Sequence, residues 1–372
     1  MIWFFYVALP FALFYVSLIT IYHIGWLKIK PFKFSPVENK VTFSVIIPAR
    51  NEAHNTEECL RGVMQQNYPQ HAYEVIVVND HSVDDTAKIV EHLIATGQAG
   101  NVRLINMQDD EKMRLMKKAA ITYAISESKN DYIVLTDADC TRGELWLESI
   151  NSFISQHNTK MIYAPVEFKA RNIFEKIQSL EFAGLVAIGG AAIRLKNPNM
   201  CSAANLIFEK GLFNEIHGYE GNEDIASGDD EFLLHKAFKI YPENIHFLKS
   251  RDAIVKTTAN ASIKQLSDQR RRWVSKSTKY ENRYITAILA GAYLFNALVF
   301  VNLIFNFKYG LILLAAKTIA ESLFLFNVMR FFKKESYLLL LPLAEFFHIL
   351  YVLIIGIWAN LGTYNWKGRD VN

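Results

Sequence analysis

The sequence predicts an α/β domain that lies between apolar helices at the two ends of the chain. In the middle of the sequence, short β-rich runs alternate with helical stretches, which is typical of a doubly wound parallel sheet. At both ends, uncharged runs are long enough to cross about 30 Å of hydrocarbon, which takes about 20 helical residues. A length of 372 residues with 51% hydrophobic residues and a net charge of +3 excludes a disordered chain.

The first apolar run is predicted to be a transmembrane helix. Residues 1–27 contain no Asp, Glu, Lys or Arg, and the cations follow the run, at Lys28, Lys30 and Lys33. A cleaved signal peptide would instead begin with positive charge. Because Lys and Arg accumulate on the cytoplasmic side of membrane spans, we expect the N-terminus outside and the following domain in the cytoplasm.

Further spans are predicted after the central domain, at residues 284–307, 309–329 and 337–366. The second of them contains Lys317 and Glu321, spaced i, i+4, and the third contains Glu345. These charges are interpreted either as a neutralised pair on a packed helix or as an intramembrane functional pair. An apolar stretch at 175–195 is interrupted by glycines, and we expect it to be a core or interfacial helix.

The predicted organisation is therefore a transmembrane helix at 1–27, a cytoplasmic domain at 38–282 and transmembrane helices at 284–366. This places the protein in the plasma (inner) membrane. The three cysteines are too few for a disulfide framework, and we expect them to be reduced and buried: Cys59, Cys140 and Cys201.

Strands are predicted at 43–48, 74–78, 102–106 and 132–139, with a helix near 114–127. Ligands of such sheets bind beyond the carboxyl ends of the strands. The ends of three of these strands carry polar or acidic residues, and we expect them to converge on one crevice: Arg50–Glu52, Asp80 and Asp137–Asp139. The segment after the first strand lacks the glycine-rich patterns of dinucleotide and P-loop sites.

Asp137 and Asp139 lie at the end of an apolar strand, where alternation puts residues i and i+2 on the same side. Two adjacent carboxylates need a counter-charge, and a hard divalent cation shared with phosphate oxygens fits. The alternative interpretation is a pair of solvated turn acids.

A second acidic cluster, SGDDEF at 227–232, precedes an apparent helix. The cluster has two interpretations. Its acids, Asp229, Asp230 and Glu231, could be capping residues favoured by the helix dipole. Alternatively, one of them could be a general base that takes the proton of an acceptor hydroxyl.

A basic cluster, QRRRW at 269–273, follows a possible helix cap at Ser262. It is either an anchor to anionic lipids or part of the site. An arginine such as Arg272 can clamp pyrophosphate, and a tryptophan such as Trp273 can stack on a sugar. Gln269 and Trp273 share a helix face, which the anchor interpretation does not explain.

Together these segments resemble the family 2 glycosyltransferases over residues 41–282. FSVIIPARNE is similar to the opening strand of that family, and VVNDHSVDDT to its V-D-D-G-S-T-D-G-T signature. MKKAAI contains a matching lysine, YIVLTDAD ends in the D-x-D, and MCSAANLIFEKGLF is similar to G-A-N-x-A-F. SGDDEF carries the acidic pair, and QRRRW fits Q-x-x-R-W. The sequence departs from the family at Asn79, His81 and Asp229.

The resemblance implies a GT-A fold and an inverting transfer from a nucleotide sugar, with a UDP-sugar as the expected donor and Mg²⁺ or Mn²⁺ as cofactor. It implies donor contacts by Pro48, Ala49, Arg50, Glu52, Asp80, Lys118, Asp137 and Arg272. It also implies a metal contact by Asp139, acceptor contacts by Asn205, Asp229, Gln269 and Trp273, and Asp230 as the catalytic base.

The acceptor is left open between two classes. The small number of predicted spans resembles ceramide glucosyltransferase-like enzymes and favours a lipid-linked or membrane-embedded acceptor, whereas Q-x-x-R-W also occurs in processive polysaccharide synthases. A non-catalytic membrane module with a decayed transferase domain is a further alternative, although it predicts loss of the acidic residues. No nucleic-acid partner is expected.

Overall fold

The computed structural model describes residues 2–107, 116–223, 227–276, 282–358, 364–366 and 369–371. Its contacts divide the chain into two compact units. The sheet unit comprises Ile29–Lys169 and Ala192–Thr258, and the helical unit comprises Met1–Lys28, Ala170–Ala191 and Ala259–Asn372. The predicted domain limits at 38 and 282 remain a prediction.

The main sheet of the sheet unit contains β1 (Phe43–Ala49), β2 (Tyr73–Asn79), β3 (Val102–Asn106), β4 (Tyr132–Leu135), β6 (Met161–Tyr163), β8 (Leu206–Glu209) and β9 (Ile245–Phe247). The strand order is β3-β2-β1-β4-β8-β6-β9. The four strands predicted from the sequence are present and pair in parallel, but β4 ends at Leu135 and not at residue 139. Asp137 and Asp139 therefore lie after the strand, and strand alternation does not apply to them. The continuous apolar runs of the four strands fit their parallel pairing, because parallel strands are buried on both faces.

The second half of the sheet differs from the parallel arrangement that the sequence predicts. β8 runs antiparallel to both β4 and β6, so the sheet is mixed. The regular alternation of strand and helix, on which the prediction depended, ends after β4. A smaller sheet pairs β10 (Val255–Thr258) with β5 (Thr141–Arg142) and β7 (Val166–Lys169).

The helices of the sheet unit are α2 (Ala53–Met64), α3 (Thr86–Ala95), α4 (Met116–Glu127), α5 (Trp146–Gln156), α7 (Lys210–Glu215) and α8 (Glu231–Ile240). Helix α4 corresponds to the helix predicted near 114–127, whose first two residues lie outside the described residues. Cys59, Cys140 and Cys201 are free and buried, as expected.

The helices of the helical unit are α1 (Trp3–Lys28), α6 (Ile173–Arg194, whose last residues belong to the sheet unit), α9 (Ile263–Ser275), α10 (Arg283–Phe305), α11 (Phe307–Phe332) and α12 (Leu341–Trp358). A short hairpin pairs β11 (Tyr364–Trp366) with β12 (Arg369–Val371).

Among the described residues, five helical segments are long and apolar enough to cross a membrane. Four correspond to the predicted spans, and the fifth is α6. The apolar window of α6 is 72% buried, compared with 22–28% for the others. A helix that faces lipid exposes its apolar surface, so the burial of α6 is consistent with the core helix expected at 175–195.

The charged residues of the predicted spans form one buried cluster. The Nζ atom of Lys317 lies 2.6 Å from Oε1 of Glu321 and also pairs with Glu345. The hydroxyl of Tyr15 donates a hydrogen bond to Glu321. This cluster connects α1, α11 and α12, so the i, i+4 pair is part of the packing of the helical unit.

Candidate active site

The segments after β1 and β2 are joined by hydrogen bonds. The Nη1 atom of Arg50 donates to the carbonyl oxygen of Asp80 at 2.8 Å, and the amide of Asp80 donates to the carbonyl oxygen of Ala49 at 2.8 Å. The amide of Glu52 donates to the hydroxyl of Thr86 at 2.8 Å. Two of the three predicted strand ends therefore meet at one edge of the sheet.

The individual residues of this edge differ in exposure. Pro48 is the sixth residue of β1 and is half-buried, and Ala49 is buried. Asp80 is 6% exposed, and its Oδ1 atom lies 2.9 Å from Nδ1 of His81. His81 adopts a φ of +55°, in the left-handed region that favours the glycine of the family signature.

Asp137, Asp139 and Cys140 follow β4, and one potential ligand atom from each lies within 4.8 Å of the others. The hydroxyl of Thr257 donates to Oδ2 of Asp139 at 2.8 Å. Burial and the nearby carboxylates raise the pKa of the Cys140 thiol well above its usual value, so it stays protonated. Two carboxylates beside a neutral thiol fit a hard, oxygen-preferring cation such as Mg²⁺ or Mn²⁺.

Lys117 connects the two acidic clusters of the sequence. Its Nζ atom lies 2.8 Å from Oδ1 of Asp137 and 3.0 Å from Oδ2 of Asp229. Burial lowers the pKa of Lys117, but the two carboxylates more than offset this effect and hold the pKa above its usual value. The crevice therefore contains a permanent positive charge.

The donor contact predicted from the sequence was assigned to Lys118, the neighbour of Lys117. The structure places Nζ of Lys118 at 2.7 Å from the carbonyl oxygen of Asn222, and 5.1 Å from the centre of the Phe232 ring. Lys118 is 4% exposed. Successive residues of a helix point about 100° apart, so only one of two adjacent lysines can face the D-x-D. The feature of the sequence that could have indicated Lys117 was the need of the Asp137 carboxylate for a positive counter-charge.

Asp230 fits the capping interpretation of the second acidic cluster, and its role as a general base stays a prediction. It is the N-cap of α8, with its Oδ1 atom accepting from the amide of Glu231 at 2.8 Å. Its Oδ2 atom accepts from the amide of Ala203 at 3.2 Å. These bonds fix the orientation of the carboxylate, as a positioned base requires.

Asn205, the predicted acceptor residue of the G-A-N-like segment, is fully buried. Its Nδ2 atom donates to the carbonyl oxygens of Pro165 and Ala253 at 2.9 and 2.8 Å, and its Oδ1 atom accepts from Trp146 at 3.1 Å. The side-chain amide of Asn205 therefore forms hydrogen bonds inside the protein. The Asn205 side chain therefore has a structural role, and its predicted acceptor contact stays a prediction.

The Q-x-x-R-W residues lie in the helical unit, on α9, which begins after the predicted Ser262 cap. The Oε1 atom of Gln269 accepts from Nδ2 of Asn260 at 2.9 Å. The Trp273 ring lies 5.9 Å from the Phe182 ring, and Arg272 is half-buried. The other predicted site residues belong to the sheet unit.

Comparison with known proteins identifies the domain. Residues 44–216 match the Glycosyl transferase family 2 domain. Glycosyltransferase AglE of Haloferax volcanii is 33% identical over 129 residues, which are 35% of this chain and 40% of that protein. The 4,4′-diaponeurosporenoate glycosyltransferase of Staphylococcus aureus is 30% identical over 132 residues, which are 35% of this chain and 31% of that protein.

A solved structure, the mannosyltransferase PcManGT from Pyrobaculum calidifontis in complex with GDP-Man and Mn²⁺, aligns with a TM-score of 0.61. It is 17% identical, and the alignment covers 96% of this chain and 100% of that one. This likeness confirms the GT-A fold. The chain thus spans less than half the length of the two curated relatives. Residues 44–216 thus match the family 2 glycosyltransferase domain, in agreement with the resemblance found in the sequence.

Proposed function

We propose that this protein transfers a sugar from a nucleotide-sugar donor to a membrane-embedded or lipid-linked acceptor hydroxyl, with inversion at the anomeric carbon. The observation that carries the proposal is the contact of Lys117 with both Asp137 and Asp229. It joins the D-x-D, where a donor diphosphate and its metal ion belong, to the acidic pair that contains Asp230.

Donor binding is assigned to the edge formed by β1, β2 and β4. Asp80 and the Arg50 segment are suited to the nucleoside, because their main chains are already fixed to one another. Asp137 and Asp139 would hold Mg²⁺ or Mn²⁺, which neutralises negative charge on the leaving diphosphate when bound. Lys117 supplies a fixed cation for the same charge. The geometry favours Lys117 over Lys118 for neutralising the diphosphate. We expect the nucleotide of the donor to be UDP.

Transfer is a single displacement. The acceptor oxygen attacks the anomeric carbon from the face opposite the diphosphate, and the bond from that carbon to the phosphate oxygen breaks. Asp230 takes the proton of the acceptor hydroxyl as the new bond forms. The main-chain amides of Ala203 and Glu231 hold this carboxylate in one orientation, which general-base catalysis requires.

A membrane acceptor is supported by the five long apolar helical segments. We propose that residues 1–27 and 284–366 anchor the chain in the inner membrane, with residues 38–282 on the cytoplasmic side. Gln269 and Trp273 of α9 are assigned to the acceptor, and Arg272 to the donor diphosphate. One relative is named for transfer to 4,4′-diaponeurosporenoate, and processive polysaccharide synthesis is the competing assignment.

The test is to incubate the detergent-purified protein with Mn²⁺ or Mg²⁺, a panel of UDP- and GDP-sugars, and a lipid extract of the native host. Release of nucleoside diphosphate together with a lipid product heavier by one sugar supports the proposal. A product ladder that lengthens with time assigns the protein to polysaccharide synthesis. The matched control is Asp230→Asn, and no turnover with any donor by the wild-type protein contradicts a catalytic function.

A further inference from the structure

Arg270, the first arginine of QRRRW, is the residue of α9 whose side chain is most enclosed. It is 2% exposed, although a basic run at a membrane surface would be expected to reach for solvent or lipid headgroups. Arg270 has no part in the donor and acceptor assignments above, and its burial does not fit a lipid anchor. A buried guanidinium is costly unless its charge and its hydrogen-bond donors are matched, so its partners carry information.

The charge of Arg270 is matched by Glu181 of α6. The Nη2 atom of Arg270 lies 2.7 Å from Oε2 of Glu181. Glu181 is held in turn by α12, because the hydroxyl of Tyr351 donates to its Oε1 atom at 3.3 Å. The arginine is therefore fixed by a carboxylate that is itself fixed from a third helix.

The other contacts of Arg270 go to the predicted acceptor residues on its own helix. Its Nη1 atom donates to Oε1 of Gln269 at 3.2 Å, and its guanidinium carbon lies 4.1 Å from the centre of the Trp273 ring. Phe182, the neighbour of Glu181 on α6, contacts the same ring. One enclosed guanidinium thus contacts both Gln269 and Trp273.

We propose that Arg270 and its counter-ion Glu181 are positioning residues that hold Gln269 and Trp273 in the orientation required by the acceptor. The inference depends on the proposed acceptor role of these two residues. The planar guanidinium is needed because it can pair with a carboxylate, stack on a ring and donate to an amide oxygen at the same time. A lysine ammonium is a point charge without a stacking face.

The competing explanation is a structural ion pair that only stabilises the helical unit. The two explanations differ in what a substitute must restore. A structural pair needs opposite charges on α6 and α9, whereas positioning needs a guanidinium on α9.

The first variant is Arg270→Lys, which keeps the positive charge. We expect the acceptor KM to rise roughly tenfold, because an ammonium cannot pair with Glu181, stack on Trp273 and donate to Gln269 at the same time, while the donor KM stays within twofold of wild type. The matched control is Lys264→Gln, an exposed cation on the same helix, which should leave both values unchanged. An acceptor KM of wild-type size in Arg270→Lys would overturn the proposal.

The second variant exchanges the charges, as Glu181→Arg combined with Arg270→Glu. It should recover thermal stability in detergent relative to Arg270→Glu alone, because the pair is re-formed. The acceptor KM should remain high, because a carboxylate on α9 neither stacks on Trp273 nor donates to Gln269. Recovery of both stability and acceptor KM would show that the pair is structural only. If the exchanged protein does not fold, the acceptor KM of Arg270→Lys distinguishes positioning from a purely structural ion pair.

A readout without turnover separates this proposal from the proposed function. Acrylamide quenching of Trp273 is obtained as the difference between each protein and its Trp273→Phe derivative. We expect Arg270→Lys to quench about twice as strongly as wild type, because the ring loses the guanidinium that covers it. Equal quenching overturns the positioning role even if transfer is observed. If the wild-type protein transfers no sugar but wild type and Arg270→Lys still differ in quenching, the acceptor assignment is contradicted, whereas the contact between Arg270 and Trp273 is supported.

Discussion

Replacing Lys117 by methionine tests the charge arrangement of the active site. Methionine keeps most of the length and the apolar stem of lysine but has no ammonium. The change leaves Asp137 and Asp229 without the cation that lies 2.8 and 3.0 Å from their oxygens. It also removes the cation assigned to the donor diphosphate. We therefore expect Lys117→Met to weaken both folding and donor binding.

The size of the effect follows from the geometry. At an effective dielectric constant of about 20, the two contacts correspond to gross attractions of about 6 and about 5.5 kcal/mol. Desolvation offsets most of this, and breaking a buried pair costs about 3–5 kcal/mol. The side chains of Lys117 and Asp137 are 19% and 36% exposed. Solvent screening therefore reduces the expected destabilisation to about 2 kcal/mol.

The effect on donor binding follows from the lost contact with the diphosphate. A charge-assisted hydrogen bond contributes about 1.5–3 kcal/mol, so the Kd of the donor should rise about 10- to 100-fold. The pKa of Lys117 lies above its usual value. Its contribution to stability is therefore present at every pH below the ordinary lysine pKa, and an assay at pH 7 measures the full effect.

The measurements are isothermal titration of the nucleotide sugar with Mn²⁺ present, and thermal unfolding in detergent. Lys118→Met is the matched control. Its ammonium donates to the carbonyl oxygen of Asn222, whereas that of Lys117 contacts Asp137 and Asp229, so donor affinity should stay within a few-fold of wild type. The reasoning is refuted if Lys118→Met loses donor affinity while Lys117→Met binds normally.

Three further predictions follow from the same structure. Asp230→Asn should bind the donor with wild-type affinity but lose transfer by about 10²–10⁴-fold, as measured by titration and product release; lost binding would argue against a base. EDTA should abolish transfer, Mn²⁺ or Mg²⁺ should restore it, and Cys140→Ser should keep the same metal requirement because Asp137 and Asp139 offer the oxygen ligands that these ions prefer; an altered metal preference of this variant would identify the thiol as a ligand. Burial lowers the pKa of Lys249 to about 8, so the unfolded chain binds more protons between pH 8 and the ordinary lysine pKa of about 10.4, and stability rises with pH across this window. Lys249→Met should therefore raise the thermal midpoint at pH 7, with the gain shrinking towards pH 10.4; a gain that is independent of pH would contradict this origin.

The sequence predicted the first half of the sheet because its signal is local. Continuous apolar runs such as Val45–Ile47 occur where a parallel strand is covered on both faces. The antiparallel β8 was not predicted, because strand direction depends on how the chain returns to the sheet. Similarly, i, i+4 spacing indicated that Lys317 and Glu321 share a helix face, whereas their pairing with Glu345 of α12 depends on helix packing.

The candidate site shows the same limit at the level of single side chains. Asp80, Asp137 and Asp139 follow strands whose carboxyl ends share one edge, so their grouping could be predicted from strand order. Adjacent lysines in MKKAAI could not be separated without the orientation of α4. Asn205 matched a motif position, but only the structure reveals that its amide is enclosed by β7, α5 and the segment before β10.

The sequence by itself determined which kinds of element the protein contains: long apolar helices, an α/β domain with the family 2 motifs, and acidic residues at the strand ends. These features depend on residue type and on spacing along the chain, which hydrophobic periodicity encodes directly. Only the tertiary structure decided that Lys117 faces the acids, that Asn205 is internal, and that Arg270 is enclosed between Glu181 and Trp273. The physical reason is that burial and ion pairing depend on side chains that are distant in the chain but adjacent in space.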